Sequence, residues 1–288
     1  MSVLRTLVVS SRPVSWINTA FPFAAAYLMT TRQIDATLVI GTLFFLVPYN
    51  LAMYGINDVF DYESDLRNPR KGGVHGAVLD RQLHAVTLWA ATLTCLPFIV
   101  FLVIVGSPTS WFVLLVSLFF VVFYSAPPLR LKEVPFADSA TSSIHFFSPA
   151  VYGFVLAGAV WTPGLVAIIV AFALWGVASQ AFGAVQDVAA DREAGISSIA
   201  TVCGARWTVW FALACYALSG VAMLFTTWPG QLAGLLCLLY IAAVWPYRAI
   251  TDDDAALATA GWRRFLWINQ IAGFAVTLLL IWWWMSRS

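Results

Sequence analysis

Charge is what this chain has least of. Only 10% of its 288 residues are Asp, Glu, Lys or Arg, against 61% hydrophobic, and the mean hydropathy is +0.84. A soluble domain carries roughly 25% charged residues, so a water-facing globule of this length is excluded. The formal net charge is +1, and no basic run or patch occurs; a nucleic-acid partner has nothing to bind. The four cysteines, Cys95, Cys203, Cys215 and Cys237, form no C-x-x-C pair. They read as small apolar residues, without a disulfide framework or a thiolate metal site. No secretory signal is expected. Arg5 and Arg12 interrupt the first apolar stretch, and residues 16–29 lack a small-residue cleavage site followed by polar sequence.

What is present is a series of long apolar runs. About 20 such residues cross a bilayer as a helix. Nine spans are expected, at approximately 14–30, 36–57, 83–105, 110–125, 142–160, 163–186, 206–226, 230–249 and 265–284. Gly106-Ser107-Pro108, Pro127-Pro128, Thr162-Pro163-Gly164 and Pro229-Gly230 punctuate them. Basic residues set an orientation. Thirteen of the 15 fall before the first span or in the even-to-odd connections, leaving only Arg32 and Arg287 opposite. The positive-inside rule makes that richer side cytoplasmic, with the amino terminus inside and the carboxy terminus outside. The class expected is an all-α integral protein of the plasma membrane.

The few acidic residues are concentrated. Seven of the 14 carboxylates lie in Asn57-Asp58-Val59-Phe60-Asp61-Tyr62-Glu63-Ser64-Asp65 and Gln186-Asp187-Val188-Ala189-Ala190-Asp191-Arg192-Glu193. A carboxylate at membrane depth costs roughly 2.5–3.5 kcal/mol on insertion scales, and such residues mark ion or substrate sites. Both clusters stand at the cytoplasmic ends of expected spans, the second and the sixth. Asp187 follows Asp58 by 129 residues, which suggests one domain over residues 1–288, built as a pseudo-repeat of spans 1–4 and 5–8 plus a ninth.

Helical spacing aligns the polar groups. Asn50, Tyr54, Asn57, Asp58, Asp61 and Asp65 share one face of a continuous helix, and Gln180, Asp187 and Asp191 form a second stripe. Two facing stripes would line a pocket with oxygen. Carboxylates about 4 Å apart repel by about 4 kcal/mol at an effective dielectric of 20, and a hard divalent cation removes that repulsion. Mg2+ takes oxygen ligands and is typically held by carboxylates together with substrate phosphates. A diphosphate carried by Mg2+ is the expected occupant. Arg67, Arg70, Lys71, Arg130, Lys132 and Arg192 are candidate grips on its free oxygens.

Plainer readings apply to several of these residues. A lone D-x-x-x-D at a helix end is ordinarily solvated or a cap; two clusters on one side, one with three aspartates in register behind an Asn, go beyond that. Loop Arg and Lys are first of all topology signals. His145 reads first as a hydrogen-bonded core residue and second as a ligand or base. Asp252-Asp253-Asp254 reads as a solvated loop run. Most Trp and Phe residues are lipid-facing or interfacial, as Trp282-Trp283-Trp284 would be.

Asn57-Asp58-x-x-Asp61-x-x-x-Asp65 and Asp187-x-x-x-Asp191 resemble the two signature motifs of the UbiA superfamily of intramembrane prenyltransferases. The resemblance covers essentially the whole chain. It implies a nine-helix UbiA-type bundle in which Asn57, Asp58, Asp61, Asp65, Asp187 and Asp191 coordinate Mg2+ and an isoprenyl diphosphate. The segment Tyr124-Ser125-Ala126-Pro127-Pro128-Leu129-Arg130-Leu131-Lys132 is similar to a family segment that contacts the diphosphate, which implicates Tyr124, Arg130 and Lys132.

Ser11-Arg12-Pro13-Val14-Ser15-Trp16, Pro48 to Asp58, Arg67-Asn68-Pro69-Arg70-Lys71-Gly72-Gly73, Thr141-Ser142-Ser143-Ile144-His145-Phe146 and Gly183 to Asp187 resemble the family's actinobacterial lycopene-elongating branch, which builds C50 carotenoids. That branch implies a dimethylallyl diphosphate donor, a lipophilic carotenoid acceptor and neighbouring carotenoid-pathway enzymes as partners. Asn50, Tyr54, His145 and Gln180 are candidates to line the prenyl or acceptor side, and Tyr49, Tyr54, Phe146 and Phe147 to face a carbocation. Two alternatives stay open. One is a family member acting on an aromatic, quinone-precursor or tetrapyrrole acceptor, from whose quinone-forming branch the 67–73 loop departs. The other is a cation-coupled transporter, whose site belongs nearer the bilayer midplane.

Overall fold

Proline and glycine cut the apolar sequence into helices, and no strand occurs among the described residues. The computed structural model describes residues 2–66 and 79–286, with Ser64 and Asp65 described by their backbone alone. Arg67, Arg70, Lys71 and the side chain of Asp65 therefore lie outside the described residues.

Residues 1–131 and 144–159 form one unit. It holds α1 (Val3–Ser10), α2 (Ile17–Thr31), α3 (Ala36–Leu46), α4 (Pro48–Phe60), α5 (Tyr62–Asp65), α6 (His84–Val105), α7 (Pro108–Phe123) and the later turns of α8 (Ala137–Leu156). Its core is aromatic: Phe45 packs its ring 5.1 Å from both Phe23 and Tyr49, and 5.9 Å from Tyr152. Small residues admit that packing. A Cβ on Gly153 would stand 2.8 Å from the backbone oxygen of Phe23, so α2 and α8 touch at backbone range, as membrane helices do at small residues.

Residues 132–143 and 160–288 form the second unit. After the first turns of α8 come α9 (Pro163–Val185), α10 (Val188–Ala194), α11 (Ile199–Cys203), α12 (Ala205–Met223), α13 (Cys237–Val244) and α14 (Ala258–Met285). The fully buried Ala178, Ala181 and Ala212 let α9 and α12 run close. Tyr216 shares a 3.0 Å hydrogen bond with Ser179 Oγ and stacks on Tyr240 at 5.3 Å.

Among the described residues five helical stretches are long and apolar enough to cross a membrane: Ala36–Phe60, Arg81–Val105, Pro163–Val185, Gly230–Tyr247 and Ala255–Met285. Three helices expose continuous apolar stripes at helical spacing. They run along Trp89, Leu93, Leu96, Val100 and Ile104 on α6, Phe112, Leu115 and Phe119 on α7, and Trp267, Ile271, Phe274 and Leu278 on α14. Stripes this long belong against hydrocarbon.

Several expected boundaries move, the ninth span among them, which starts at Ala258 and not near 265. The second span breaks at Val47 (φ −117°, ψ −60°), because Pro48 has no N–H to continue α3 and its ring crowds the carbonyl four residues back. The fifth span starts earlier, at Ala137. The eighth opens as a 3-10 helix over Gly230–Leu236 before becoming α-helical. A further difference bears on the site. Gln180, Asp187 and Asp191 do not share one helix: α9 ends at Val185, and the Asp187 N–H turns back to Ala184 O at 3.1 Å, an i to i−3 bond that closes the turn before α10.

Candidate functional site

The first acidic motif sits where α4 runs out. Asp58 lies in its last turn, wholly buried, and Asp61 caps it at 5% exposure. Neither carboxylate is left to pay for its burial alone. Arg12 Nη2 stands 3.2 Å from Asp58 Oδ1, and Arg130 Nη2 stands 3.8 Å from Asp61 Oδ1. Asn57 spends its amide on two partners, donating to Asp61 Oδ2 at 2.5 Å and to Ser125 Oγ at 2.8 Å. Arg130 also donates to Phe60 O at 3.3 Å and Ser125 O at 3.1 Å. The segment after α7 is thus tied to the end of α4 by one amide and one guanidinium. Asn57, Asp58, Asp61 and Arg130, candidate site residues in sequence, stand together with Arg12 and Ser125, which lay within the resembling segments but were given no site role.

The other candidates of this unit lie along α4, at the end of α7 and on α8. Tyr54 carries the Arg12 guanidinium 4.2 Å above its ring. Asn50 is fully buried and donates to Thr19 Oγ1, Phe45 O and Leu46 O at 2.7, 2.8 and 3.1 Å. Those are the carbonyls that the Pro48 break orphans, so the amide closes α3. His145 Nε2 bonds Phe120 O at 3.1 Å, and the Tyr124 ring meets the imidazole edge-on at 5.1 Å. Tyr49 is buried in the aromatic core, with its hydroxyl shared with Ser117 at 3.1 Å.

In the second unit the acidic motif spans the α9–α10 turn. Asp187 is the N-cap residue of α10, and Asp191 lies one turn on. Gly195 (φ 72°) ends that helix, with Ile196 N–H returning to Asp191 O at 2.8 Å. Gln186 donates to Gly183 O at 3.0 Å. Gln180 accepts from Ser142 Oγ at 3.0 Å. Lys132 lies in a 3-10 turn, Leu131–Glu133, at the start of this unit. Arg192 reaches Thr201 O at 2.9 Å and Asp252 Oδ2 at 2.7 Å, and Asp252 Oδ1 accepts the Ala205 N–H at 2.6 Å. Asp252 is therefore not part of a solvated run. The Ala205 N–H, and then Arg192, hold its carboxyl below the usual carboxylate range against the opposing pull of desolvation. Asp138, in the first turn of α8 at 2% exposure, accepts Ile199 N–H at 3.0 Å and Ser139 N–H at 2.7 Å.

A family model settles what kind of chain this is: that of the UbiA prenyltransferase family matches residues 19–269. The chain belongs to that family. It is 57% identical over 281 residues to a C(50) beta-cyclic carotenoids biosynthesis protein of Dietzia sp., a match covering 97% of this chain and 65% of that protein. The chain thus spans about two thirds of the length of that relative. It is 48% identical over 281 residues, 98% of each chain, to a lycopene elongase/hydratase of Corynebacterium glutamicum. A UbiA homologue from Archaeoglobus fulgidus, solved bound to DMAPP and Mg2+, shares its fold at a TM-score of 0.66 and 20% identity, over 94% of this chain and 98% of that one.

The UbiA signature oxygens suit a hard cation. Among the described residues no three His, Cys, Asp or Glu side chains converge closely enough to hold a metal ion; the side chain of Asp65 lies outside them. The donor chemistry nevertheless fits. Asp58, Asp61 and Asn57 offer only oxygen and amide groups at the end of α4, and the cations beside the two aspartates show that the place favours positive charge.

Proposed function

We propose that this UbiA-family enzyme transfers a C5 dimethylallyl group from dimethylallyl diphosphate to the ends of lycopene, giving C45 and C50 carotenoids. The 48% identity across 98% of both chains to a lycopene elongase/hydratase carries this reading. The donor's diphosphate is held through Mg2+ by Asn57, Asp58, Asp61 and Asp65 from one motif and Asp187 and Asp191 from the other. Bound there, Mg2+ supplies electrostatic stabilisation of the charge that develops on the leaving diphosphate. Arg130, fixed on the same carboxylate cluster, adds a planar donor fork for phosphate oxygens. Arg67, Arg70, Lys71, Tyr124, Lys132 and Arg192 complete the set of proposed diphosphate contacts.

The chemistry is an electrophilic alkylation. The allylic C–O bond breaks and its electron pair leaves with the diphosphate. The terminal double bond of lycopene attacks the resulting allylic cation, forming one C–C bond and a tertiary cation. Water capture or proton loss ends the sequence, and repetition at the far end gives the C50 product. Tyr54 offers a ring to the allylic cation, with Phe146 and Phe147 further candidates, each worth roughly 0.5–2 kcal/mol. His145 and Gln180 shape the prenyl and acceptor side, with Asn50 closing α3.

Nine membrane crossings, an amino terminus and reaction site on the cytoplasmic side of the plasma membrane, and one catalytic domain over the whole chain complete the reading. Five apolar helical stretches and the 13-to-2 partition of basic residues support it. The test is expression in a lycopene-producing host with pigment analysis by mass. New C45 and C50 pigments are expected, absent with Asp61→Ala or Asp187→Ala. Unchanged lycopene, with membrane expression and donor supply verified, overturns the reading.

A further inference from the structure

Arg12 stands outside both acidic motifs, yet its guanidinium reaches Asp58, the most deeply buried carboxylate of the first among the described side chains. The Nη2–Oδ1 distance to Asp58 is 3.2 Å, with Arg12 21% exposed and Asp58 not at all. The guanidinium lies 4.2 Å over the ring of Tyr54, one turn before Asp58 on α4. Its backbone is left-handed, φ 51° and ψ 74°, a conformation that non-glycine residues seldom adopt. The bend is fastened: Trp16 Nε1 donates to Ser11 O at 3.0 Å and to Ser11 Oγ at 3.1 Å. The buried Arg12 Nε has no hydrogen-bond partner among the described residues. A donor is thus held in reserve beside the carboxylate.

Two binding events meet this arginine with opposite signs. A divalent cation arriving at Asp58 alone is repelled by it. A diphosphate is attracted, because a guanidinium fork matches phosphate oxygens and its Nε–H is unspent. We infer that Arg12 is a transferable counter-ion: it neutralises Asp58 until the donor binds, then passes to the diphosphate as the metal takes the carboxylate. Tyr54 holds the guanidinium by its ring face in either arrangement. The exchange makes metal and diphosphate bind cooperatively, since each removes the charge that opposes the other. The inference rests on the donor site proposed above.

Calorimetric titration of the purified full-length protein in detergent tests it with two probes, Mg2+ alone and inorganic pyrophosphate in Mg2+. In Arg12→Gln the affinity for Mg2+ alone is expected to rise roughly fivefold, by relief of charge repulsion, while pyrophosphate weakens about tenfold, the loss of a charged donor. Arg12→Lys, which keeps the charge, is expected to leave the Mg2+ affinity near wild type and to weaken pyrophosphate only, and it carries the test should the Gln variant fail to fold. If both affinities of the Gln variant fall together, or neither moves, or the Lys variant binds Mg2+ more tightly, the inference is overturned and Arg12 is merely structural. Wild-type protein that binds neither probe overturns the donor site itself.

Discussion

Asn57 and Asp61, one helical turn apart at the end of α4, are joined amide to carboxylate at 2.5 Å, and the second N–H of the same amide holds Ser125. The amide fixes both the carboxylate's rotamer and the approach of the segment after α7. A group that orients a metal or phosphate ligand typically changes affinity or activity by about 10–100-fold when removed. Asn57→Ala is therefore expected to lower kcat/KM for dimethylallyl diphosphate by about that factor, and Ser125→Ala by less. Thermal melts of both variants should stay within a few degrees of wild type. Wild-type turnover in Asn57→Ala would show that Asp61 needs no such support.

The Asp252 carboxylate joins the start of α12 to Arg192. Its folded-state affinity for protons is depressed, so its contribution to stability is present above the unfolded carboxylate range and is lost as pH falls through the folded value. Asp252→Asn should melt below wild type at neutral pH, and that gap should close as pH is lowered through and below about 4, the ordinary carboxylate value. Differential scanning of the two proteins across that range measures it. A gap independent of pH would mean that shape, not charge, does the holding.

Asn50 shows both the reach and the limit of helical register. Placed in the same stripe as Tyr54 and Asn57, it reads as part of a polar face. The Pro48 break gives it different work, closing the carbonyls of Phe45 and Leu46. Asn50→Leu would leave those oxygens and Thr19 without that donor, a loss of about 2–4 kcal/mol at this depth. A marked fall in melting temperature is expected, with unchanged KM for the donor in the protein that stays folded. A rise in KM without loss of stability would return Asn50 to the substrate's side.

Local chemistry made much of this molecule legible beforehand. Pro108 and Pro163 take the first positions of α7 and α9, because proline fits the first helical position and cannot continue a helix, and Pro229 stands just ahead of the 3-10 turn that starts at Gly230. The aspartates stood out because burying charge in an apolar chain is expensive. The partners of those charges were not legible. Arg12 lies 46 residues from Asp58, Ala205 lies 47 from Asp252, and Ile199 lies 61 from Asp138. Pairing over such distances follows from packing, which spacing along one helix does not contain. Arg12 looked fully explained as a topology signal, and Arg192 read as a topology signal or a phosphate grip, not as the partner of Asp252. A cation near a membrane surface can serve topology and a specific carboxylate at once.

Arg130 offers a separate test of how the two sides of the first motif are held. Its guanidinium spans Phe60 O, Ser125 O and the Asp61 carboxylate, from a backbone at φ 41°. Lysine keeps the charge but, as a point donor, cannot reproduce a planar fork across three acceptors. Glycine relieves the left-handed backbone but brings no cation. If the side chain is what matters, Arg130→Lys should lose about tenfold in kcat/KM, the worth of roughly one hydrogen bond to a charged group, and Arg130→Gly more. Arg130→Gly should also melt lower despite its easier backbone, because a buried carboxylate that loses a partner costs up to about 3 kcal/mol. Should the Gly variant instead gain stability and keep its turnover, backbone strain at this position would outweigh the contacts, and Arg130 would leave the set of residues proposed to meet the diphosphate.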